Sequence, residues 1–376
     1  MDFFRPGSYR NYSADLYINK YAPKTLADYQ GNEGVHQTLS SYLETGNLPN
    51  LLIIGPHGCG KSLLAKLLIK EYLGEQNMED GCLQIYGSLS RGKDVVSEKH
   101  SVKNKQKNFN CPGITNFMKK TSNLPKDKLK IVLIHEFHQM SSEAQMALRR
   151  IIEQNSARIR FIFLTEDHSQ IIQALQSRCT LIQMQKLDNT EMNNILKPIM
   201  SSENIIQNEE LMELIRINAD GDIRIAVNLL QVLGKVTKQD EWYDIMGIPE
   251  LAHIKKIVQF CFTYKPIEVY KILKLLLHQG FDICDFLDIF SRVLIRYPKF
   301  PRKKEYLRTF CHHMLTIEEC YTETQLYNLF NNLCNISNTY LSNTTNTDKP
   351  TDKLTNTDKL TNTNLTNSSD LVADTI

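Results

Sequence analysis

No apolar run in this 376-residue chain approaches the roughly 18 residues that a membrane span needs, which excludes a helical membrane protein. The opening stretch, MDFFRPGSYRNYSADLY, lacks the basic patch and apolar core of a secretory signal, so an intracellular protein is expected. The nine cysteines include no C-x-x-C pair, which argues against a structural zinc site and leaves reduced, mostly buried thiols as the expectation. There is no overall charge excess either. Lys and Arg number 44 against 42 Asp and Glu, a net charge of +2, so any contact with nucleic acid must come from local clustering. With 41% hydrophobic and 23% charged residues the composition is that of an ordinary globular protein, and the length allows roughly two or three domains.

Three short apolar runs, 51–54 (LLII), 131–134 (IVLI) and 161–164 (FIFL), each lead into polar or glycine-rich residues, as strands of a parallel sheet buried on both faces do. Between them 62–73 and 141–154 carry apolar residues at helical spacing, so this part reads as a doubly wound α/β domain. From about 187 to 235 three helical segments follow, and helical segments continue from about 247 to 335. After Ser337 the sequence becomes an Asn/Thr-rich repeat that buries too little apolar surface to offset its ordering entropy, so a disordered tail is expected. Its N-x-[ST] triplets, such as Asn343 with Thr345, read as accidents of composition.

The strongest local signal is Gly55-Pro56-His57-Gly58-Cys59-Gly60-Lys61-Ser62, a complete G-x-x-x-x-G-K-[ST] between an apolar strand and an amphipathic helix. The glycines let successive backbone N–H groups turn toward phosphate oxygens, and the helix N-terminus adds a favourable dipole. In this pattern Lys61 reaches the β- and γ-phosphates and the Ser62 hydroxyl ligates Mg²⁺, so ATP and Mg²⁺ are the expected cofactors. The second apolar run ends in His135-Glu136, where such a site carries an Asp for the metal and then a Glu. Glu136 is positioned to orient and deprotonate water. His135 is a poor substitute for a hard oxygen ligand, so weak hydrolysis is expected.

With these motifs in order, the chain resembles the small subunits of replication factor C. The resemblance rests on Tyr17-Ile18-Asn19-Lys20-Tyr21-Ala22-Pro23-Lys24-Thr25-Leu26, then Gly31 and Thr45-Gly46-Asn47-Leu48-Pro49. It continues through Ala144-Gln145, Ala147-Leu148-Arg149-Arg150 and Glu153, then Ser177-Arg178-Cys179, and finally Gly221-Asp222-Ile223-Arg224 with Ala226 and Asn228. It covers roughly residues 15–235. It implies an α/β P-loop AAA+ domain with a parallel sheet (1–186), a helical lid (187–236) and an all-α collar (237–337), before the tail at 338–376. It also implies a clamp-loader subunit: a hetero-oligomer, in this family a pentamer, that binds ATP and loads a sliding clamp onto primer–template DNA during replication. Arg178 would be the catalytic arginine given in trans to a neighbour's nucleotide, and Arg224 the lid arginine that folds over the chain's own. The expected location is the nucleus or, for a viral protein, a cytoplasmic replication compartment.

Three residues depart from the family pattern: Ala22 for arginine, His135 for aspartate, and Glu166 for the sensor-1 asparagine. A carboxylate at 166 repels a γ-phosphate, so a subunit with impaired hydrolysis of its own is expected. Most of the local basic excess lies in 91–130, and Arg91, Lys119 and Lys120 are the candidate DNA contacts. Both Ser88–Gly92 and Pro112–Lys120 fit the lead-in to the DNA-facing helix; the second choice makes 93–111 an insertion, and 97–110 also reads as a solvated lysine-rich loop. Two alternatives stand beside the loader ATPase. One is a non-hydrolysing structural subunit. The other is a motor such as a branch-migration helicase, which the Ser-Arg-Cys tripeptide and the collar-like C-terminus disfavour.

Overall fold

The structure, a computed structural model, describes residues 16–88, 113–120, 124–125, 128–236, 238–297, 302–319 and 322–347. Arg91 and the 93–111 stretch lie outside them. Five strands, β1 (Leu51–Ile54), β2 (Cys82–Tyr86), β3 (Lys130–His135), β4 (Ile159–Thr165) and β5 (Thr180–Gln183), form one parallel sheet in the order β2-β3-β4-β1-β5. The register sets Ile54 beside Thr165 and Gln183, and Tyr86 beside His135, so the carboxyl ends of all five strands open along one edge. In open α/β sheets that edge is where ligands bind.

Every residue of β1 and β3 is buried, and β4 is buried apart from Arg160. The strand period of two sends Leu52 and Ile54 to one face and Leu51 and Ile53 to the other. The first face, with Val132, Ile134, Phe161 and Phe163, packs on α5 (Ile114–Lys119) and α6 (Ser142–Asn155) through Phe117, Leu148 and Ile152. The second, with Ile131, Leu133, Ile162 and Leu164, packs on α2 (Glu33–Glu44) and α3 (Lys61–Leu73) through Leu39, Leu64 and Leu68. Each such side chain contributes about 1.5–3 kcal/mol by leaving water.

Short helices α1 (Tyr17–Lys20), α4 (Met78–Gly81) and α7 (Gln173–Gln176) complete the α/β part. Next come α8 (Asn189–Ser202), α9 (Glu209–Ala219) and α10 (Ile223–Leu233). Asn208 and Asp222 cap α9 and α10 by accepting backbone N–H groups, which satisfies donors that a helix start leaves open. The chain then continues through α11 (Gln239–Met246), α12 (Leu251–Phe262), α13 (Pro266–His278), α14 (Ile283–Arg296), α15 (Lys303–Glu319) and α16 (Glu323–Thr347).

By its contacts the chain divides into two units, Met1–Lys255 with Leu276–Pro298, and Lys256–Leu275 with Lys299–Ile376. In the second unit α15 and α16 bury Tyr306, Phe310, Leu329, Phe330 and Leu333, and the Tyr306 hydroxyl meets Ser337 Oγ. α16 runs past the residue after which the Asn/Thr-rich repeat begins. Its backbone stays helical to Thr347, ten residues beyond Ser337, because extending a helix costs far less than starting one and no proline intervenes before Pro350. No helix among the described residues is long and apolar enough to cross a membrane.

Candidate nucleotide site

At the carboxyl edge of the sheet a cavity of about 780 Å³ is lined by the loop after β1, the ends of β3 and β4, the 17–30 segment, and residues of α8 and α10. Of the residues singled out from the sequence, His57, Gly58, Cys59, Gly60, Lys61, Ser62, Glu136 and Arg224 line it. Gly55 and Pro56 begin the same loop, and their carbonyls accept hydrogen bonds from Lys61 Nζ at 2.7 and 2.6 Å. Burial pushes the Lys61 ammonium below its ordinary pKa.

The loop is held in shape from both sides. Gly58 (φ +68°) lies so close to the cap of α10 that a Cβ there would meet Asp222 Cγ at 1.8 Å. Beside it the Ile223 N–H donates to Gly58 O at 3.3 Å, so the start of α10 sits directly on the loop. Gly60 (φ +97°) faces Tyr29, whose hydroxyl donates to Cys59 O at 3.2 Å. Both glycines thus combine left-handed backbone with close approach, the two conditions under which a side chain is not accommodated.

On the opposite side, His135 is buried at 5% exposure, and its ring stacks on Tyr86 with centroids 4.6 Å apart and planes 12° from parallel. Its Nδ1 lies 3.3 Å from Ser62 Oγ, and Nε2 is buried without a hydrogen-bond partner. Desolvation, reinforced by Lys66, lowers its pKa to about 4, so the imidazole is neutral near pH 7. Glu136 follows with left-handed backbone (φ 50°), and Gly87 packs against its carbonyl. A carboxylate was expected to be the electrostatic defect at 166. In the structure Glu166 Oε2 is 2.6 Å from His57 Nε2, so the acid just after β4 meets a base from the loop after β1.

The two arginines are placed differently. Arg224 lines the cavity and is paired with Asp222 at 3.2 Å. Arg178, between α7 and β5, does not line it; its guanidinium is held by Glu153 at 2.5 Å and by Ala174 O at 2.6 Å. Lys119 ends α5, and Lys120 pairs with Asp80 at 2.9 Å. Lys130, counted with the basic cluster in the sequence, is instead a core residue: it is 9% exposed, donates to Phe117 O at 2.8 Å, and reaches Lys120 O, fixing the C-terminal end of α5.

Sequence reasoning missed Glu203 altogether. The hydroxyls of Tyr17 and Tyr21 donate to its carboxylate at 3.1 and 2.6 Å, and Lys20 Nζ does so at 2.6 Å, which depresses its pKa to about 2. The Tyr17, Lys20 and Tyr21 positions of the opening box therefore dock that segment onto the end of α8. The box was legible only as a resemblance, because its acceptor lies far along the chain.

A family model described as DNA polymerase III, delta subunit, matches residues 31–188. The replication factor C small subunit of Staphylothermus marinus is 34% identical over 247 residues, 65% of this chain and 70% of that protein. Replication factor C subunit 2 of Arabidopsis thaliana is 31% identical over 284 residues, 75% of this chain and 81% of that one. The chain belongs to the replication factor C family. Subunit 4 of Encephalitozoon cuniculi, at 29% identity, aligns over 74% of this replication factor C chain and 85% of its own. Among solved structures, the Thermotoga maritima RuvB Holliday junction branch migration motor covers 77% of the chain and 97% of its own, with 19% identity and a TM-score of 0.47. The sheet order, the loop after β1 and the helices that follow are those of an AAA+ domain succeeded by helical segments.

Proposed function

We propose that this replication factor C chain is an ATP-binding subunit of a hetero-oligomeric sliding-clamp loader, and that it helps place a ring clamp on primer–template DNA. The observation that carries this reading is the glycine loop after β1, capped by the start of α10 and closed over a 780 Å³ cavity, in a chain of this family. Segments 1–186, 187–236 and 237–337 serve as nucleotide domain, lid and collar. The protein acts in the compartment where its DNA is replicated.

Within the site, backbone N–H groups of 58–62 and Lys61 hold the phosphates. Arg224 leaves Asp222 to meet them and so couples the lid to the ligand. The Ser62 hydroxyl would hold a nucleotide-borne Mg²⁺, which would supply charge neutralisation of the phosphates, whereas His135 offers a neutral nitrogen where that ion prefers oxygen. Glu136 orients and deprotonates the water, and with His135 beside it turnover at this site is slow. Arg178, outside the cavity, serves the nucleotide of a neighbouring subunit; such arginines contribute ~10³–10⁵ in rate. Lys119 and Lys120, with Arg91, contact the DNA backbone without reading sequence.

The test is ATP turnover and clamp loading by the assembled complex carrying Arg178→Ala or Glu136→Gln. A loader subunit with slow turnover of its own predicts a large loss from the arginine change and a small one from the glutamate change. Equal, negligible effects of both, with Lys61→Ala also silent, would contradict the assignment.

A further inference from the structure

Glu166 departs from the family pattern, His57 stands at a position that the loop motif leaves free, and the fold brings the two together. β1 and β4 are neighbours in the sheet, Ile54 stands beside Thr165, and the Gly55 N–H donates to Thr165 O at 3.2 Å. The chain therefore leaves both strands in the same direction, and shortly after the strand ends at Ile54 and Thr165, His57 Nε2 and Glu166 Oε2 meet at 2.6 Å at the cavity that both line. Among the basic side chains that line this cavity, Lys61, Arg224 and His57 are each held by an acceptor of the chain itself: Lys61 by Gly55 and Pro56 carbonyls, Arg224 by Asp222, His57 by Glu166. His57 differs in having a second ring nitrogen to offer. Its side chain is 75% exposed, whereas Glu166 is 27% exposed.

We propose that His57 and Glu166 form a clasp that distinguishes a nucleoside triphosphate from a diphosphate, with Glu166 holding Nε2–H of the imidazolium while Nδ1–H donates to the terminal phosphate. The inference rests on the nucleotide-site reading above and extends it. A bare carboxylate at 166 would repel the terminal phosphate. An imidazolium between the two replaces that repulsion with two charge-assisted hydrogen bonds, one to each anion. A diphosphate lacks the group that His57 would meet, so the clasp adds little to its binding. Glu166 acts through His57 and is a positioning residue; His57 is the residue that touches ligand.

Calorimetric titration of the full chain with ATP and with ADP, in the presence of Mg²⁺, tests the clasp. His57→Ala should weaken ATP binding about tenfold and leave ADP within about twofold, with the melting temperature of the nucleotide-free protein unchanged. His57→Arg should restore the ATP preference. The double variant His57→Ala/Glu166→Gln should recover most of the lost affinity, because the uncovered carboxylate is gone. Equal losses for ATP and ADP, or a double variant as weak as His57→Ala alone, would overturn the clasp while leaving the nucleotide site standing. Wild-type protein that binds neither nucleotide, or ATP binding that survives Lys61→Ala, would overturn the site itself and the clasp with it.

Discussion

On the β1 side of the cleft the sequence keeps every group that phosphate binding needs: Gly58 and Gly60 in left-handed backbone, Lys61 turned into the loop, and the cap of α10 seated on Gly58. On the β3–β4 side Glu136 is kept, but two positions beside it depart from the family pattern: His135 is neutral and stacked on Tyr86, and Glu166 is engaged by His57. Both sides belong to one sheet edge and share one cavity. Binding needs only backbone N–H groups and a cation, whereas hydrolysis needs oxygen ligands and a placed water, so the second can erode while the first stands. That is the physical basis of the proposal above, a subunit that holds ATP at an interface without turning it over quickly.

The largest way to break that comparison is to attack the intact side. Lys61→Ala removes the half-buried lysine of the loop and should weaken ATP binding about 100-fold, measured by titration calorimetry. Next is Gly58→Ala, whose methyl would sit 1.8 Å from Asp222 Cγ at φ +68°. The start of α10 must then lift away, and ATP affinity should fall about thirtyfold, with greater protease sensitivity in the 187–236 segment. Sharpening it from the other side, His135→Asp restores an oxygen donor beside Ser62 and should raise single-turnover hydrolysis about tenfold with little change in ATP affinity.

The smallest effect lies outside the cleft, at Glu203. Its pKa is depressed to about 2 by the hydrogen bonds from Lys20, Tyr21 and Tyr17, so its contribution to stability is present above the unfolded-state carboxylate pKa of about 4.3. That contribution is lost as pH falls toward about 2, when the carboxylate takes up a proton and the three donors lose their charged acceptor. Glu203→Gln should therefore lower the melting temperature by about 1–2 °C at pH 7, and the gap should close on acidification, as calorimetric scans across pH would record.

What the sequence made legible follows from how local each signal is. β1, β3 and β4 lie in the sheet interior, so they stood out as unbroken apolar runs. β2 and β5 are edge strands with alternating burial, and CLQIY and TLIQ are too short and mixed to declare themselves. The glycine loop was legible because its eight residues are contiguous. The pairing of His57 with Glu166 was not, since it depends on β1 and β4 becoming neighbours; from the sequence alone Glu166 looked only like a repulsive defect. Lys130, which belongs to the basic excess of 91–130 in the sequence, turns into a core residue because its ammonium finds the Phe117 and Lys120 carbonyls, a pairing that exists only once α5 is packed beside β3. The convergence of Tyr17, Lys20 and Tyr21 on Glu203 likewise exists only once α8 is packed beside the opening segment.

The separation of holding from hydrolysing is tested most directly by measuring ATP affinity and single-turnover hydrolysis side by side, for the wild type and for a variant carrying His135→Asp and Glu166→Asn. The predicted result is comparable ATP affinity in the two proteins and hydrolysis at least about tenfold faster in the variant. Wild-type hydrolysis already as fast as the variant's, at equal affinity, would contradict the account.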